Sequence, residues 1–417
     1  MTAAGDADVL VVGAGPAGVA ASLTLVASGR DVLLLDKATF PRDKCCGDGL
    51  TTGALRLLEE LGFDPARVPR WRVAHDVRLR SPSGREVRLD LPAGAGQFAA
   101  VAPRIDLDAA LLAHARARGV RVRERTAFAR LVRNDDRVEI ESDDGESFTA
   151  RWLVAADGMW SPVRKAAGAA DDCYLGEWHA FRQYARGVTG PARDGLLVWF
   201  EPDLLPGYAW SFPLPDGRAN LGFGILRGGR HAVGDMRELW SDLLARPHVR
   251  AALGPDAELE DRHSAWPIPA RVTDTRLAAG RVLFVGDAAR TADTLTGEGI
   301  GQALLSGMLA GGAIVRRGRT RTGLVHGGEA RAVRAAYSRA MRREFFADHR
   351  MSHLLGRVLR SPRAARGAIR VAGLTDWTRR NFVRWMFEDE PRAAAFTPRR
   401  WHRRFLRRPG AFAGVRD

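Results

Sequence analysis

Near the start of the chain, three glycines and one acid have the types and spacing of a phosphate- and ribose-binding site. Gly13, Gly15 and Gly18 form a G-x-G-x-x-G pattern after an apolar run, and Asp36 closes a second apolar run. The first glycine permits a tight turn, the second lets the backbone approach a pyrophosphate, and the third lets a helix pack on the strand. The pyrophosphate would bind free N–H groups at the helix start, and Asp36 would accept hydrogen bonds from ribose hydroxyls. The predicted dinucleotide site consists of Gly13, Gly15, Pro16, Ala17, Gly18, Asp36 and Lys37.

Three aromatic residues, Tyr208, Trp210 and Phe212, are spaced two apart. In a strand this spacing places them on one face, where three rings would form an apolar wall for a lipophilic substrate. Packing in the core of the sheet is the alternative interpretation.

Two adjacent cysteines, Cys45 and Cys46, follow the second apolar run. A thiol beside a cofactor could donate a proton, or it could pack as a small hydrophobic group. A disulfide between the two would be a strained vicinal ring and is not expected. Three cysteines in all predict neither a disulfide framework nor a zinc site.

Two further apolar runs end in short polar turns. The run at 152–156 is followed by Asp157-Gly158, and the run at 281–285 by Gly286-Asp287. Both are typical of buried strands, and a helix of small residues is predicted over 298–315. Because these runs return after a stretch of different character, the nucleotide-binding domain is predicted to be discontinuous.

The intervening stretch has alternating runs at 196–200, 208–212 and 219–225 between Pro, Gly and Asp turns. This pattern predicts an antiparallel sheet with one covered face. The predicted fold class is α/β: a Rossmann-like dinucleotide-binding domain (1–70, 101–170 and 275–325), an inserted antiparallel-sheet substrate domain (71–100 and 171–274) and a helical, basic C-terminal region (326–417).

The three glycine-containing turns, taken together and in this order, resemble the flavoprotein family that includes hydroxybenzoate-hydroxylase-like monooxygenases and geranylgeranyl reductases. The resemblance implies that the cofactor is FAD, with Asp287 near its ribityl and pyrophosphate portion. It places the backbone of Gly297, Gly299 and Ile300 beside the flavin ring, where N–H groups at a helix start stabilise an anionic reduced flavin. Further family cofactor positions match Arg104, Asp157, Gly158 and Gly286.

Two stretches resemble the geranylgeranyl reductases in particular. Residues 41–47, PRDKCCG, resemble the family loop P-R-x-K-x-C-G, and residues 208–213, YAWSFP, resemble the family motif Y-x-W-x-F-P. The first adds Arg42, Cys46 and Gly47 to the cofactor contacts. Together they imply Cys46, Tyr208 and Trp210 as catalytic residues, with Tyr208, Trp210 and Phe212 binding substrate.

The implied reaction is hydride transfer from flavin N5 to a C=C double bond of a prenyl, polyprenyl or other lipophilic substrate. Because no second dinucleotide fold is visible, the reductant is either transiently bound NAD(P)H or an electron carrier such as ferredoxin. An FAD-dependent monooxygenase or epoxidase acting on a secondary metabolite is the alternative. A halogenase fits less well, because no lysine occurs between Lys44 and Lys165.

The chain departs from the family pattern at Arg290 and Thr294, where relatives usually have Gly and Pro. A bulky cation at Arg290 is expected close to the flavin or the substrate channel, where it would influence substrate choice.

Charge and composition limit the partners and the location. The 417 residues carry a net charge of +15, and all but three of the 64 basic residues are Arg. No nucleic-acid-binding motif accompanies this charge, so nucleic acid is not an expected partner. Phe382, Trp385 and Met386 share one helical face among arginines, which makes the C-terminal region a candidate for peripheral contact with anionic lipid. We expect a cytoplasmic protein, with the inner face of the membrane as a candidate contact.

Overall fold

The computed structural model describes residues 6–94, 96–133, 136–171, 173–318 and 328–414, so the predicted domain bounds at residues 1, 325, 326 and 417 lie outside it. The strands of these residues are β1 (Asp6–Val12), β2 (Val32–Leu35), β3 (Gly49–Thr51), β4 (Arg72–Val73), β5 (Asp76–Arg80), β6 (Glu86–Asp90), β7 (Ala99–Val101), β8 (Arg121–Arg123), β9 (Phe128–Arg133), β10 (Val138–Ser142), β11 (Ser147–Ala155), β12 (Trp178–Arg186), β13 (Leu196–Trp199), β14 (Ala209–Leu214), β15 (Arg218–Leu226), β16 (Glu258–Ile268), β17 (Ala278–Ala279) and β18 (Val282–Phe284).

The helices of the described residues are α1 (Pro16–Val26), α2 (Thr52–Glu60), α3 (Arg104–Ala117), α4 (Pro162–Ala166), α5 (Met236–Ala245), α6 (Pro247–Leu253), α7 (Ile300–Arg317), α8 (Glu329–Met341), α9 (Ala347–Val358), α10 (Pro362–Ala372) and α11 (Asp376–Met386). A π-helical turn at Arg342–Phe346 joins α8 to α9.

The first sheet brings the three glycine-containing turns to one edge. Its order is β17-β18-β11-β1-β2-β8, parallel from β18 to β8, with β10 and β9 extending from β11. Val12 is paired with Ala155 and Leu35, and Ala155 is paired with Phe284. These strand ends therefore lie side by side, although they are far apart in sequence. The strands are buried apolar runs because helices and other elements cover both faces.

The second sheet has the order β16-β12-β15-β14-β13-β5-β6 and is antiparallel except where β13 pairs with β5. One face packs on α5, where the rings of Phe181, Phe223 and Trp240 lie within 6.0 Å of one another. The opposite face borders a large cavity.

Helices α5 and α6 lie inside the stretch predicted to be sheet, and the sequence analysis did not identify them. A signal was present, because Met236, Trp240 and Leu243 recur at helical spacing and are buried. The stretch 72–80 is divided between two sheets. β4 pairs with β7 in a small third sheet that also contains β3, whereas β5 belongs to the second sheet.

The C-terminal helices pack beside the second sheet. Ile369 of α10 and Val383 of α11 join the apolar cluster of β5 and β6, which includes Leu79 and Leu89. The predicted fold class is therefore confirmed: a Rossmann-like α/β part, an inserted and largely antiparallel sheet, and a helical C-terminal region.

Close contact between α1 and α7 depends on glycine. A Cβ at Gly307 would overlap the backbone oxygen of Ala17, and one at Gly311 would lie 2.9 Å from Thr24 Cβ. Gly312, the next residue on α7, faces only the far end of the Arg316 side chain. The absence of side chains at Gly307 and Gly311 therefore sets the distance between the two helices.

We predict that Gly307→Ala destabilises the protein by about 2 kcal/mol or more, because the added methyl group pushes the backbone of α7 away from that of α1. Gly312→Ala is the matched control on the same helix, and we expect it to be neutral or stabilising by up to about 1 kcal/mol. Urea unfolding measures both. Equal loss of stability in the two variants would contradict the packing argument.

Candidate active site

A cavity of about 1620 Å³ lies between the edge of the first sheet and the second sheet. Its lining includes all the predicted cofactor and substrate residues except Gly18 and Arg290. The members are Gly13, Gly15, Pro16, Ala17, Asp36, Lys37, Arg42, Cys46, Gly47, Arg104, Asp157, Gly158, Tyr208, Trp210, Phe212, Gly286, Asp287, Gly297, Gly299 and Ile300. Residues from eight separate stretches thus meet around one space.

The glycine turn after β1 has the geometry that a pyrophosphate needs. Gly13 has φ +104°, and a side chain there would overlap the backbone of Ala156. A side chain at Gly18 would overlap the oxygen of Gly13, so Gly18 serves helix packing and lies behind the cavity. Gly15 is the N-cap of α1, and a side chain there would meet only the end of the Arg42 side chain, at 3.8 Å. A phosphate can therefore approach the N–H groups at the start of α1.

The Asp36 carboxylate is held by backbone donors. The N–H of Ala14 donates to Oδ2 at 2.6 Å, and the N–H of Ala38 donates to Oδ1 at 2.8 Å. Each carboxylate oxygen has a second acceptor position, so the group can still receive ribose hydroxyls. The adenosine end of FAD fits this arrangement.

The loop before α7 is also braced for a ligand. The Asp293 carboxylate accepts hydrogen bonds from the N–H groups of Leu295 (2.9 Å) and Thr296 (2.8 Å) and from the Ser352 hydroxyl (2.6 Å). Gly297 has φ +68°, and Gly299 is the N-cap of α7. A second glycine-capped helix start therefore borders the cavity, where it can stabilise negative charge.

Asp157 and Gly158 form the middle of the same edge. The Asp157 carboxylate accepts from the Ser161 hydroxyl at 2.6 Å and from the N–H of Val163 at 2.9 Å, which secures the start of α4. Burial raises the pKa of Asp157 to about 6. Gly158 has φ +83° and open space in front of it.

Two predicted cofactor arginines share one acid. Arg104 forms a bidentate pair with Asp108 at 2.8 and 2.7 Å, and Arg42 donates to the same carboxylate at 2.8 Å. Asp108 is fully buried, so it fixes both guanidinium groups beside the cavity.

Tyr208, Trp210 and Phe212 form the predicted row on the cavity face of the second sheet. Neighbouring ring centroids are 6.1 and 6.3 Å apart. A side chain at Gly222 would overlap the Trp210 ring, so the indole lies directly over that glycine on β15. The Tyr208 hydroxyl donates to the oxygen of Thr296 and connects the row to the loop before α7.

Asp48 ties the Cys46 loop to the aromatic row. Its Oδ2 accepts from the Tyr184 hydroxyl at 2.7 Å and from Asn220 Nδ2 at 2.8 Å. The Asn220 amide also donates to the Cys46 oxygen at 2.9 Å and accepts from Trp210 Nε1 at 3.0 Å. Burial raises the pKa of Asp48 to about 6, against the effect of these hydrogen bonds.

The cysteine thiols stay protonated at neutral pH. Burial raises the pKa of Cys46 to about 12 and that of Cys45 to about 11. Both line the cavity, and Cys46 Sγ accepts from the N–H of Asp48 at 3.4 Å.

Several residues in or near the recognised motifs had no predicted role. Lys44, within the 41–47 loop, borders the cavity with Nζ 3.8 Å from the centre of the Trp266 ring, and burial lowers its pKa. Asp48, Asn220 and Glu298 were missed as well. Asp48 directly follows the 41–47 loop and Glu298 lies between Gly297 and Gly299, but the contacts of Asp48 and Asn220 depend on partners that are distant in sequence.

The expectation for Arg290 was wrong in its placement. The side chain pairs with Asp171, lies 3.6 Å from the centre of the Tyr174 ring, and does not border the cavity. Arg290 itself has φ +58° and follows the short 3₁₀ turn at Gly286–Ala289. The structure therefore gives it no contact with a substrate in the cavity.

The C-terminal helices extend the cavity outward, a feature that the sequence analysis did not anticipate. Val358, Val371, Trp377, Phe382 and Trp385 are among the apolar side chains that border it. Helices α9 to α11 thus form an apolar passage that leads to the aromatic row.

Comparison with known proteins agrees with this geometry. Residues 6–189 match the model of the FAD binding domain family. Menaquinone reductase of Mycobacterium tuberculosis is 33% identical over 73% of this chain and 76% of its own length. Digeranylgeranylglycerophospholipid reductase 1 of Methanopyrus kandleri is 33% identical over 73% of this chain and 79% of its own length.

Among solved structures, a geranylgeranyl bacteriochlorophyll reductase-like protein from Thermoplasma acidophilum superposes with a TM-score of 0.76. The two chains are 20% identical, and the match covers 94% of this chain and 99% of the other. This similarity shows a shared fold.

We predict that Asn220→Ala costs roughly 2–4 kcal/mol of stability, because it removes the hydrogen-bond partner of the Trp210 N–H and of the Cys46 oxygen in a buried site, together with one of the two hydrogen bonds to Asp48 Oδ2. Tyr184→Phe is the matched control, since it removes only one hydrogen bond to the same Asp48 and should cost about 1 kcal/mol. Urea unfolding of both variants measures the difference. A smaller loss for Asn220→Ala than for Tyr184→Phe would show that Asn220 does not hold this network.

Proposed function

The chain belongs to the family of FAD-dependent geranylgeranyl reductases, and we propose that it reduces a C=C double bond in the prenyl or polyprenyl chain of a lipophilic substrate. It is an FAD-dependent oxidoreductase. The substrate's identity and the number of double bonds reduced are left open by this proposal.

The observation that carries the proposal is the continuity of one cavity. Its inner edge has the two glycine-capped helix starts and Asp36, and its wall is the row of Tyr208, Trp210 and Phe212. A cofactor bound at the two helix starts and Asp36 would extend toward the aromatic row. The apolar passage between α9 and α11 can admit a long hydrocarbon chain to the same place.

Reduced FAD would supply a hydride from N5 to one carbon of the double bond. In the proposed arrangement the aromatic row places the alkene and excludes water. The Cys46 thiol is uncharged, so it can pack against the hydrocarbon or act as a weak acid. We propose Cys46, Tyr208 and Trp210 as the residues at the reacting end.

The source of electrons belongs to the proposal as well. We propose NAD(P)H bound transiently at the cavity, or an electron carrier such as ferredoxin. Reduction of the bound FAD under nitrogen by each donor separately would distinguish them.

We also propose that the C-terminal region contacts an anionic membrane surface. None of the helices that the structure describes has the length and apolar character needed to span a bilayer. Val371, Leu374 and Trp377 are 56%, 61% and 62% exposed beside the passage. The same stretch of sequence contains many exposed arginines: Arg357, Arg360, Arg363, Arg366, Arg370, Arg379 and Arg380. Exposed apolar side chains on a strongly basic segment suit a surface of anionic lipid.

We predict that the dithionite-reduced protein, incubated under nitrogen with polyprenyl lipids, adds two hydrogen atoms per double bond, as detected by mass spectrometry. Addition of one oxygen atom in air, with NAD(P)H consumed in proportion, would instead support the monooxygenase alternative. Protein that releases no flavin on denaturation would contradict both.

Trp210 provides the residue-level test in the same assay. Trp210→Ala should lower turnover by roughly ten- to hundredfold, because the lost apolar contact is worth about 1.5–3 kcal/mol, while FAD stays bound. Trp210→Phe keeps a ring in the row and should retain more activity. Loss of FAD from Trp210→Ala would show that the indole holds the cofactor rather than the substrate.

For the membrane contact, we predict that the protein sediments with vesicles of anionic lipid and much less with vesicles of neutral lipid. The double variant Leu374→Ser with Trp377→Ser should weaken binding by at least about tenfold. In the wild type both apolar side chains would move from water into the lipid on binding, and the serines lose this contribution. Leu175→Ser with Leu259→Ser removes two exposed apolar side chains outside the C-terminal region and is the matched control. Equal weakening in both pairs would contradict the assignment.

A further inference from the structure

Two carboxyl groups from distant parts of the chain accept hydrogen bonds from neighbouring residues in the first turn of α7. Glu298 borders the cavity, and its Oε1 accepts the N–H of Gly301 at 2.9 Å. Glu388, just after α11, accepts from Gln302 Nε2 at 2.8 Å and from the Thr51 hydroxyl at 3.3 Å. The charge of Glu388 raises the pKa of Glu298, because like charges oppose ionisation.

The fold reserves space for Glu388. Its backbone has φ +58°, which is unfavourable for a residue with a side chain and must be stabilised by its surroundings. A side chain at Gly53 would lie 3.1 Å from both Cβ and the backbone oxygen of Glu388. The N–H of Gly53 donates to the oxygen of Phe387 at 3.3 Å. The C-terminal region is therefore built to place this carboxyl against α2 and α7.

The surroundings keep a proton on the pair near neutral pH. Burial is the largest cause, and the Glu388 charge the second, of a rise in the pKa of Glu298 to about 8. Burial also raises the pKa of Glu388, to about 7. Asp293 on the same loop adds negative charge, whereas Arg392 opposes it from 3.7 Å. The other ionisable groups that face the pair are Tyr208 and Cys46, both of which are uncharged here.

The position of Glu298 matches a chemical need of the reaction. Saturating a double bond takes one hydride and one proton. Glu298 lies between Gly297 and Gly299, on the loop whose Thr296 oxygen accepts the Tyr208 hydroxyl, and it lines the same cavity as Cys46 and Tyr208. An acid at this point borders the space where the aromatic row would hold an alkene.

We propose that Glu298 supplies the proton for double-bond reduction. Glu388 then passes a replacement proton to Glu298. The O–H bond of Glu298 breaks and a C–H bond forms at the carbon that does not receive the hydride from the reduced flavin. Glu298 is left as a carboxylate, and a proton from solvent reaches it through Glu388. This inference rests on the proposed function.

Other groups near the cavity are less suited to this step. The Cys46 thiol, with a pKa of about 12, releases a proton far less readily than a carboxylic acid. The Tyr208 hydroxyl is committed to Thr296, and burial raises its pKa. Both oxygens of Asp48 accept hydrogen bonds from the network that supports the Cys46 loop.

The first test follows the pH dependence of single-turnover reduction of a polyprenyl lipid by the FAD-loaded, dithionite-reduced protein. The wild-type rate should fall as pH rises through about 8, as Glu298 loses its proton. Glu298→Gln should lower the rate by roughly 10²–10⁴-fold and remove this fall. In a single turnover, Glu388→Gln should move the fall to lower pH, because the charge that favours protonation of Glu298 is gone.

A second measurement needs no substrate. Reduction of the bound flavin in weak buffer with a pH indicator should take up more protons per flavin in the wild type than in Glu298→Gln, because the anionic reduced flavin strengthens proton binding by the pair. Glu390→Gln is the control, since this C-terminal acid is bonded to the N–H of Leu406 at 2.8 Å and does not border the cavity.

The outcomes separate the two proposals. If the wild type forms no reduced lipid, the proposed function fails. If the wild type forms reduced lipid but Glu298→Gln keeps the wild-type rate and pH profile, this inference is overturned. It is also overturned if Cys46→Ser, rather than Glu298→Gln, removes the fall with pH. If Glu298→Gln loses FAD, the test rests on Glu388→Gln. The inference then stands if the fall in rate moves to lower pH in this variant, and it is overturned if the fall does not move.

Discussion

The close packing of α1 against α7 is the constraint on which the rest of the site depends. Each helix starts at a glycine cap on the cavity, and each follows a strand of the same parallel sheet. Gly307 and Gly311 let the helices approach each other. Gly286 lies close to α1 as well, because a Cβ added to it would lie 3.0 Å from Ala17 Cβ. Two helix starts can act on one extended anionic ligand only when they converge in this way. The backbone contact therefore determines the electrostatics of the site.

The second sheet is joined to this frame by polar contacts rather than by a continuous core. The Asp48, Asn220 and Trp210 hydrogen bonds fix the cysteine loop to β14 and β15, and the Tyr208 hydroxyl reaches Thr296. A fully satisfied buried network allows few alternative arrangements, because a shift of one partner would leave several groups unpaired. An apolar interface of the same size would hold the sheets together but would define their relative position less sharply.

Sequence alone predicted the elements whose signals are local. The G-x-G-x-x-G turn and the spacing of Tyr208, Trp210 and Phe212 follow from strand and turn geometry, so their placement at the cavity was predictable. Arg290 was misplaced because its direction depends on a left-handed backbone conformation and on Asp171, which is remote in sequence. The role of Asp48 and the approach of Glu388 could not be predicted either, since both depend on partners more than a hundred residues away.

The C-terminal region links two requirements that a reductase of lipids must meet together. Its helices α9 to α11 border the outer, apolar part of the cavity, while Glu388, just beyond α11, accepts hydrogen bonds from Gln302 of α7 and from Thr51. A hydrocarbon chain that enters along α11 would therefore pass the same segment that positions the buried carboxyl group. Because one short stretch of backbone joins the two, movement of α11 would alter the environment of Glu388. Substrate entry and proton supply are thus expected to be coupled through this segment rather than to act independently.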